Sequence, residues 1–192
     1  RRLDLNSLRA IVTEGQAVLI VHGRDSFEAS GGAALLAPML TEERTVEWVV
    51  EASDPDLSEI EALTAQIRSD QPDVCVAIGG GRVIDSAKAA TFLAAQPHGA
   101  SVLLEDDSVV ALGRKCKLIA IPTTAGTGSE VTHFSVIHIG SQKHSLARPE
   151  MMPEYYHLSP DLTTSLPPSV TASSGLDALC QAIESLWSLS AT

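Results

Sequence analysis

Apolar positions come in short unbroken runs rather than in strict alternation. Ala17 to Val21, Asp73 to Ile78 and Lys117 to Ile121 are apolar almost throughout and rich in β-branched residues. Such runs predict strands buried on both faces, as a parallel sheet requires. Thr45 to Val50 is a further strand and Tyr155 to Leu158 a short one. Between the strands the period becomes helical. Leu57, Ile60, Leu63 and Ile67 share one face, behind a cap at Asp56 or Ser58. Val83, Ala87, Ala90 and Ala94 share another. A helix is expected from about Phe27 to Leu40, interrupted by the unfavourable Gly31-Gly32 pair. Val136 to Ile139 is expected to form a hairpin with His144 to Ala147. Alternation of strand and helix predicts an α/β domain with a mostly parallel sheet and flanking helices over residues 1–160. After Pro160 the pattern stops at Leu166-Pro167-Pro168. Ser169 to Gly175 is small and polar, and an apolar helix is predicted over Leu176 to Leu189. Residues 161–192 thus read as the start of a second, all-helical domain.

The 192 residues carry 13 Lys and Arg against 24 Asp and Glu, a net charge of -11. That balance argues against nucleic acid or an anionic membrane as the main partner. The 44% hydrophobic content suffices for a packed core and excludes a disordered acidic tail. No apolar run approaches the roughly 18 residues that span a membrane, and no leader segment is visible, so a cytoplasmic location is expected. Three cysteines, Cys75, Cys116 and Cys180, form no CxxC pair and suggest neither a disulfide framework nor a zinc cluster. The chain starts without Met and stops inside a helical pattern, so a piece of a longer protein is expected.

Two glycine-rich turns follow buried strands. Gly79-Gly80-Gly81 runs straight into a helix, where bare amides and the helix N-terminus suit an anion such as a pyrophosphate. A plain tight turn explains the same residues equally well. Neither GxGxxG nor GxxxxGK[ST] is present. Thr123-Thr124-Ala125-Gly126-Thr127-Gly128-Ser129 packs four hydroxyls and two glycines into seven residues, suited to phosphate oxygens and a carboxamide, or else to a solvent loop. Asp177 and Gln181 lie four apart and share a helical face with Glu184. Asp177 suits either a ligand or the first-turn dipole of its helix.

These stretches together resemble the iron-containing alcohol dehydrogenases. The resemblance rests on Ala77 to Lys88, Ile121 to Thr132 and Gly175 to Leu179, in family order and spacing. Ser129 to Phe134, Lys143 to Ala147 and Thr171 to Ser188 are similar to the phosphonoacetaldehyde reductases within that family. The resemblance implies a Rossmann-like domain binding NADPH or NADH, and reduction of an aldehyde to a primary alcohol. The phosphonate aldehyde would yield 2-hydroxyethylphosphonate. It implies Gly79, Gly80, Gly81 and Arg82 at the pyrophosphate, with Asp85 on the following helix. It places Thr123, Thr124, Thr127 and Leu166 along the rest of the cofactor. Gly23 replaces an acid frequent in NAD-using members and leaves room for a 2′-phosphate, for which Arg24 offers a partner. NADPH is therefore expected to be accepted, with NAD possible.

The family holds a divalent metal, iron or zinc, with one aspartate and three histidines. Asp177 matches the aspartate, but Gln181 stands where histidine is usual. The resemblance leaves this pair between catalytic metal ligands and groups that bind substrate or water. His133, Lys143, His144 and Arg148 are the candidate cations for a phosphonate. A homo-oligomer acting on a small aldehyde is expected. Two rivals share the fold: a dehydroquinate synthase-like lyase that returns its hydride to NAD, and a nucleotide-binding fragment without turnover.

Overall fold

The computed structural model describes residues 1–14, 17–51, 54–105 and 111–188. After α1 (Leu5–Glu14), five strands build the central sheet: β1 (Val18–Gly23), β2 (Thr45–Val50), β3 (Val74–Gly79), β4 (Lys117–Pro122) and, after the outer hairpin, β7 (Tyr155–Tyr156). Their spatial order is β2-β1-β3-β4-β7, and every pairing is parallel. The sheet order turns back between β1 and β3. In open α/β sheets ligands bind at such a switch point, beyond the carboxyl ends of the strands. The hairpin of β5 (Phe134–Ile139) and β6 (Gln142–Ala147) is antiparallel and forms a separate sheet.

The unbroken apolar runs have the expected consequence. Leu19, Val21, Cys75, Ala77, Leu118 and Ala120 face one core, while Val18, Ile20, Val74, Val76, Ile119 and Ile121 face the other. Helix α4 (Leu57–Asp70) and α5 (Gly81–Ala95) cover the first face with Ile60, Leu63, Ile84 and Phe92. The second face is covered by Leu8 and Val12 of α1 and by Leu36. Each such Leu or Ile contributes about 2 kcal/mol on burial. Asp56 caps α4, accepting from the Ser58 amide at 2.8 Å.

Three expectations need correction. The helix over 27–40 is three pieces: α2 (Arg24–Ala29), α3 (Gly32–Leu36) and a 3-10 turn at Ala37–Met39. Gly31 breaks it with a left-handed φ of 82°. The C-terminal helix, α7 (Pro168–Trp187), begins eight residues early. Pro168 suits its first turn, where no N–H is needed, so the small polar stretch is helix. The hairpin strands also start earlier than expected, at Phe134 and Gln142. The sequence reading missed α1 and the short α6 (Ala100–Glu105). The expected helix residues beyond Ser188 lie outside the described residues.

Candidate functional site

The two glycine turns meet at one rim. Gly79 and Pro122 are register partners at the ends of β3 and β4, and the Thr123 amide donates to the Gly79 carbonyl at 2.9 Å. A Cβ on Gly80 would lie 3.4 Å from Thr124, and one on Gly81 would lie 2.9 Å from Thr127 Cγ2. The threonines therefore rest directly on the glycine turn, and a side chain at Gly81 would force Thr127 to shift. Gly80 is the N-cap of α5 and makes no side-chain cap bond, so the orphan amides of the first turn face the rim. The dipole of a fifteen-residue helix adds about half a positive charge there. The buried Thr123 hydroxyl has no hydrogen-bond partner among the described residues. Below the turn, a cleft of about 450 Å³ is lined by Pro122, Thr124, Gly126, Glu130, Leu158 and Ala178.

Gly23 completes the rim on the other side of the switch point. A Cβ there would lie 3.7 Å from Arg82 Nη2, so the end of β1 and the start of α5 adjoin. Arg24 is not the open cation the sequence suggested, because its guanidinium is paired with Glu51 at the end of β2. Leu166 is half-buried in the loop leading to α7, and α7 crosses the second turn at Gly126.

Asp85 faces away from the rim toward the hairpin. Its Oδ2 accepts from the Val136 amide at 3.2 Å, and its Oδ1 pairs with Lys88 at 2.9 Å. Lys88 is fully buried and also donates to Ser129 O, Thr132 Oγ1 and Phe134 O. Burial lowers its pKa, and Asp85 opposes that shift. Sequence reading placed Asp85 at the cofactor; the structure uses it, with Lys88, to anchor the end of the hydroxyl turn. The i, i+3 spacing of the two charges was the available signal.

The four candidate cations do not converge. His133 and Lys143 sit near opposite ends of the hairpin, since His133 precedes Phe134↔Ala147 while Lys143 pairs with His138. That is about 16 Å of strand. His144 is opposite Ile137. Arg148 is buried and donates to the carbonyls of Leu103 and Ala147 at 2.8 and 2.9 Å. Its charge holds α6 against the hairpin.

Asp177 and Gln181 are together but exposed, the Gln181 amide donating to Asp177 Oδ2 at 2.9 Å. A metal ligand set needs the amide oxygen turned inward and further N, O or S donors. No cluster of three or more His, Cys, Asp or Glu suited to a metal occurs among the described residues. The described residues by themselves do not fit a metal centre.

A larger cleft, about 560 Å³, opens at the opposite pole beside Asp73, Gln96 and Cys116. Two of its polar side chains are engaged internally: Gln96 holds Leu112, and Arg68 holds the carbonyls of Leu93 and Gln96. It lies off the switch point. No helix among the described residues is long and apolar enough to cross a membrane.

Residues 4–160 match the model of the iron-containing alcohol dehydrogenase family. The chain belongs to the iron-containing alcohol dehydrogenase family. Over 147 residues it is 42% identical to the probable alcohol dehydrogenase EutG of Escherichia coli strain K12, covering 76% of this chain and 37% of that protein. It is 39% identical to the phosphonoacetaldehyde reductase of Streptomyces viridochromogenes, covering 69% and 35%. The sulfoacetaldehyde reductase of Bifidobacterium kashiwanohense, solved in complex with NAD+, superposes with a TM-score of 0.83 at 30% identity, covering 98% of this chain and 51% of that one. The iron-containing alcohol dehydrogenase of Thermococcus thioreducens gives 0.85 at 30%, covering 100% and 53%. The chain thus spans about a third of the length of these curated relatives and about half of the solved ones. Its fold is the one these solved relatives share over the matched half of their length.

Proposed function

We propose that the rim formed by Gly79 to Arg82, Thr123, Thr124 and Thr127 binds the diphosphate of NAD(P)H, and that the whole protein reduces an aldehyde to a primary alcohol. The single observation that supports this best is the contact of the two side-chain-poor turns at the switch point, Gly81 against Thr127. First-turn amides of α5 hold the anion without reorganising, because the helix already fixes them. Thr124 and Thr127 supply hydroxyl donors beside it, and Leu166 offers an apolar flank. When bound, the nicotinamide supplies the hydride that reduces the carbonyl carbon. Asp177 and Gln181 lie on α7, whose Ala178 lines the cleft, and serve to orient substrate or water there. Because this pair does not make a metal centre, no step is assigned to a metal.

The finer reading is phosphonoacetaldehyde as substrate. It is supported by the 39% relative of that name and by the sulfoacetaldehyde reductase, whose names describe aldehydes with a similar anionic group. The dispersed hairpin cations give it no support, so the anion must be held by other groups.

Fluorescence titration of this chain with NADH and NADPH tests the dinucleotide site. Saturable binding lost in Gly81→Val supports it, and silence with both cofactors removes it. For the full-length protein, kcat/KM for phosphonoacetaldehyde against acetaldehyde tests the substrate. Equal values defeat the finer reading. Net loss of NAD(P)H absorbance during turnover separates reduction from a lyase that returns its hydride.

A further inference from the structure

We propose that Glu51 sets the preference between NAD(H) and NADP(H) by holding Arg24. The inference rests on the dinucleotide reading of the rim and goes beyond it.

The sheet register sets the three groups side by side. Gly23 pairs with Val50, and His22 pairs with Ile78. The carboxyl ends of β2, β1 and β3 therefore lie side by side, with Glu51, Arg24 and Gly80 the next residues along the three chains. Neighbouring strands are about 4.8 Å apart, so Glu51 lies two strand spacings, about 10 Å, from the phosphate turn. A ribose extending from a diphosphate at Gly80 and Gly81 toward β1 and β2 reaches that distance. Gly23 has no side chain at β1, and the space beside it is lined by the Ser26 hydroxyl, 2.6 Å from its notional Cβ, and by Arg82 Nη2 at 3.7 Å, so a ribose there passes a hydroxyl and a guanidinium.

Dinucleotide sites of this general architecture use one of two devices at the ribose. A carboxylate accepts from the 2′-hydroxyl, or an arginine receives the 2′-phosphate. Here both are present and bonded to each other. Glu51 is further fixed because its amide donates to Glu59 Oε1 at 2.7 Å. A further acid, Asp25, follows Arg24 directly. A 2′-phosphate must take Arg24 from Glu51 and then sit beside the released carboxylate. An unphosphorylated ribose leaves the pair intact and donates its hydroxyl to Glu51. The arrangement favours NAD(H), and the obstacle to NADP(H) is Glu51 rather than the lack of a cation.

Arg24 and Glu51 side chains are 66% and 62% exposed, so replacing them leaves the core untouched. The test is equilibrium titration of the chain, Glu51→Gln, Arg24→Gln and the double variant with NADH and with NADPH. Glu51→Gln is expected to tighten NADPH about fivefold or more, the scale of one exposed ion pair plus the removed repulsion, and not to tighten NADH. Arg24→Gln is expected to weaken NADPH and to abolish the response to Glu51→Gln. Equal changes for both cofactors, or an Glu51→Gln gain that persists without Arg24, overturn the proposal. Tight binding of both cofactors unmoved by Glu51→Gln defeats this inference alone. Binding of neither to the unaltered chain defeats the dinucleotide reading beneath it as well.

Discussion

Ser174 rests directly on Gly126. A Cβ at Gly126 would stand 2.4 Å from the Ser174 carbonyl oxygen and 3.2 Å from its Cβ. The obstacle is backbone, so no rotamer relieves it. This contact lays α7 across the second turn and brings Ala178 to the cleft. Gly126→Ala is therefore expected to push α7 off the turn at a cost of about 1–3 kcal/mol. Hydrogen exchange checks it: protection should fall in residues 168–187 while the central sheet stays protected. Unchanged exchange in α7 would mean that the helix is held elsewhere.

The approach of Gly81 to Thr127 makes a compensating pair. Gly81→Ala is expected to weaken dinucleotide binding about tenfold, because the new methyl separates the turns. Thr127→Ser removes the Cγ2 atom that lies nearest, at 2.9 Å, and should recover part of the loss in the double variant. A titration showing no recovery would place the damage in the α5 amides rather than between the turns.

The Lys88–Asp85 pair predicts a stability effect with a sign. Removing the cation leaves a buried carboxylate uncompensated. Lys88→Met is expected to cost about 3–5 kcal/mol in urea unfolding. Lys88→Met with Asp85→Leu should cost less than the sum of the two single changes, because no lone charge remains. An additive result would show that the two charges act independently.

The thiols differ in access. Cys180 is exposed, whereas Cys75 and Cys116 are buried. Ellman's reagent is expected to titrate one thiol in the native chain and all three in denaturant. Burial raises the Cys116 thiol from 9.0 to about 11 and also raises Cys75. Between pH 9 and 11 the unfolded chain releases these protons and the folded chain keeps them. Stability should therefore fall as pH rises through that window. A urea midpoint that falls from pH 8.5 to 10.5 in the parent, falls less in Cys116→Ala and is flat only when Cys75→Ala is added would assign the effect to the two buried thiols.

Much of the fold was legible because its signals are local. The runs at Val18, Val74 and Leu118 are buried on both faces, and only a parallel sheet covered by helices satisfies them. The glycine triplet and the hydroxyl turn were likewise visible, since the lack of side chains is itself written in the chain. Helix boundaries near Gly31 and Pro168 were less legible. A left-handed glycine and a first-turn proline look alike in sequence whether they end a helix or begin one.

By itself, then, the chain determined the layered α/β body, the two turns and the family to which they belong. Those properties follow from periodicity and from residues whose shape suits few conformations. Tertiary structure alone decided which charges meet. Arg24 goes to Glu51 across 27 residues, Arg148 to Leu103 across 45, and Lys88 to the segment 129–134 across more than 40. Long cations reach whatever acceptor the packed strands bring near, and that depends on strand order, which no local pattern encodes.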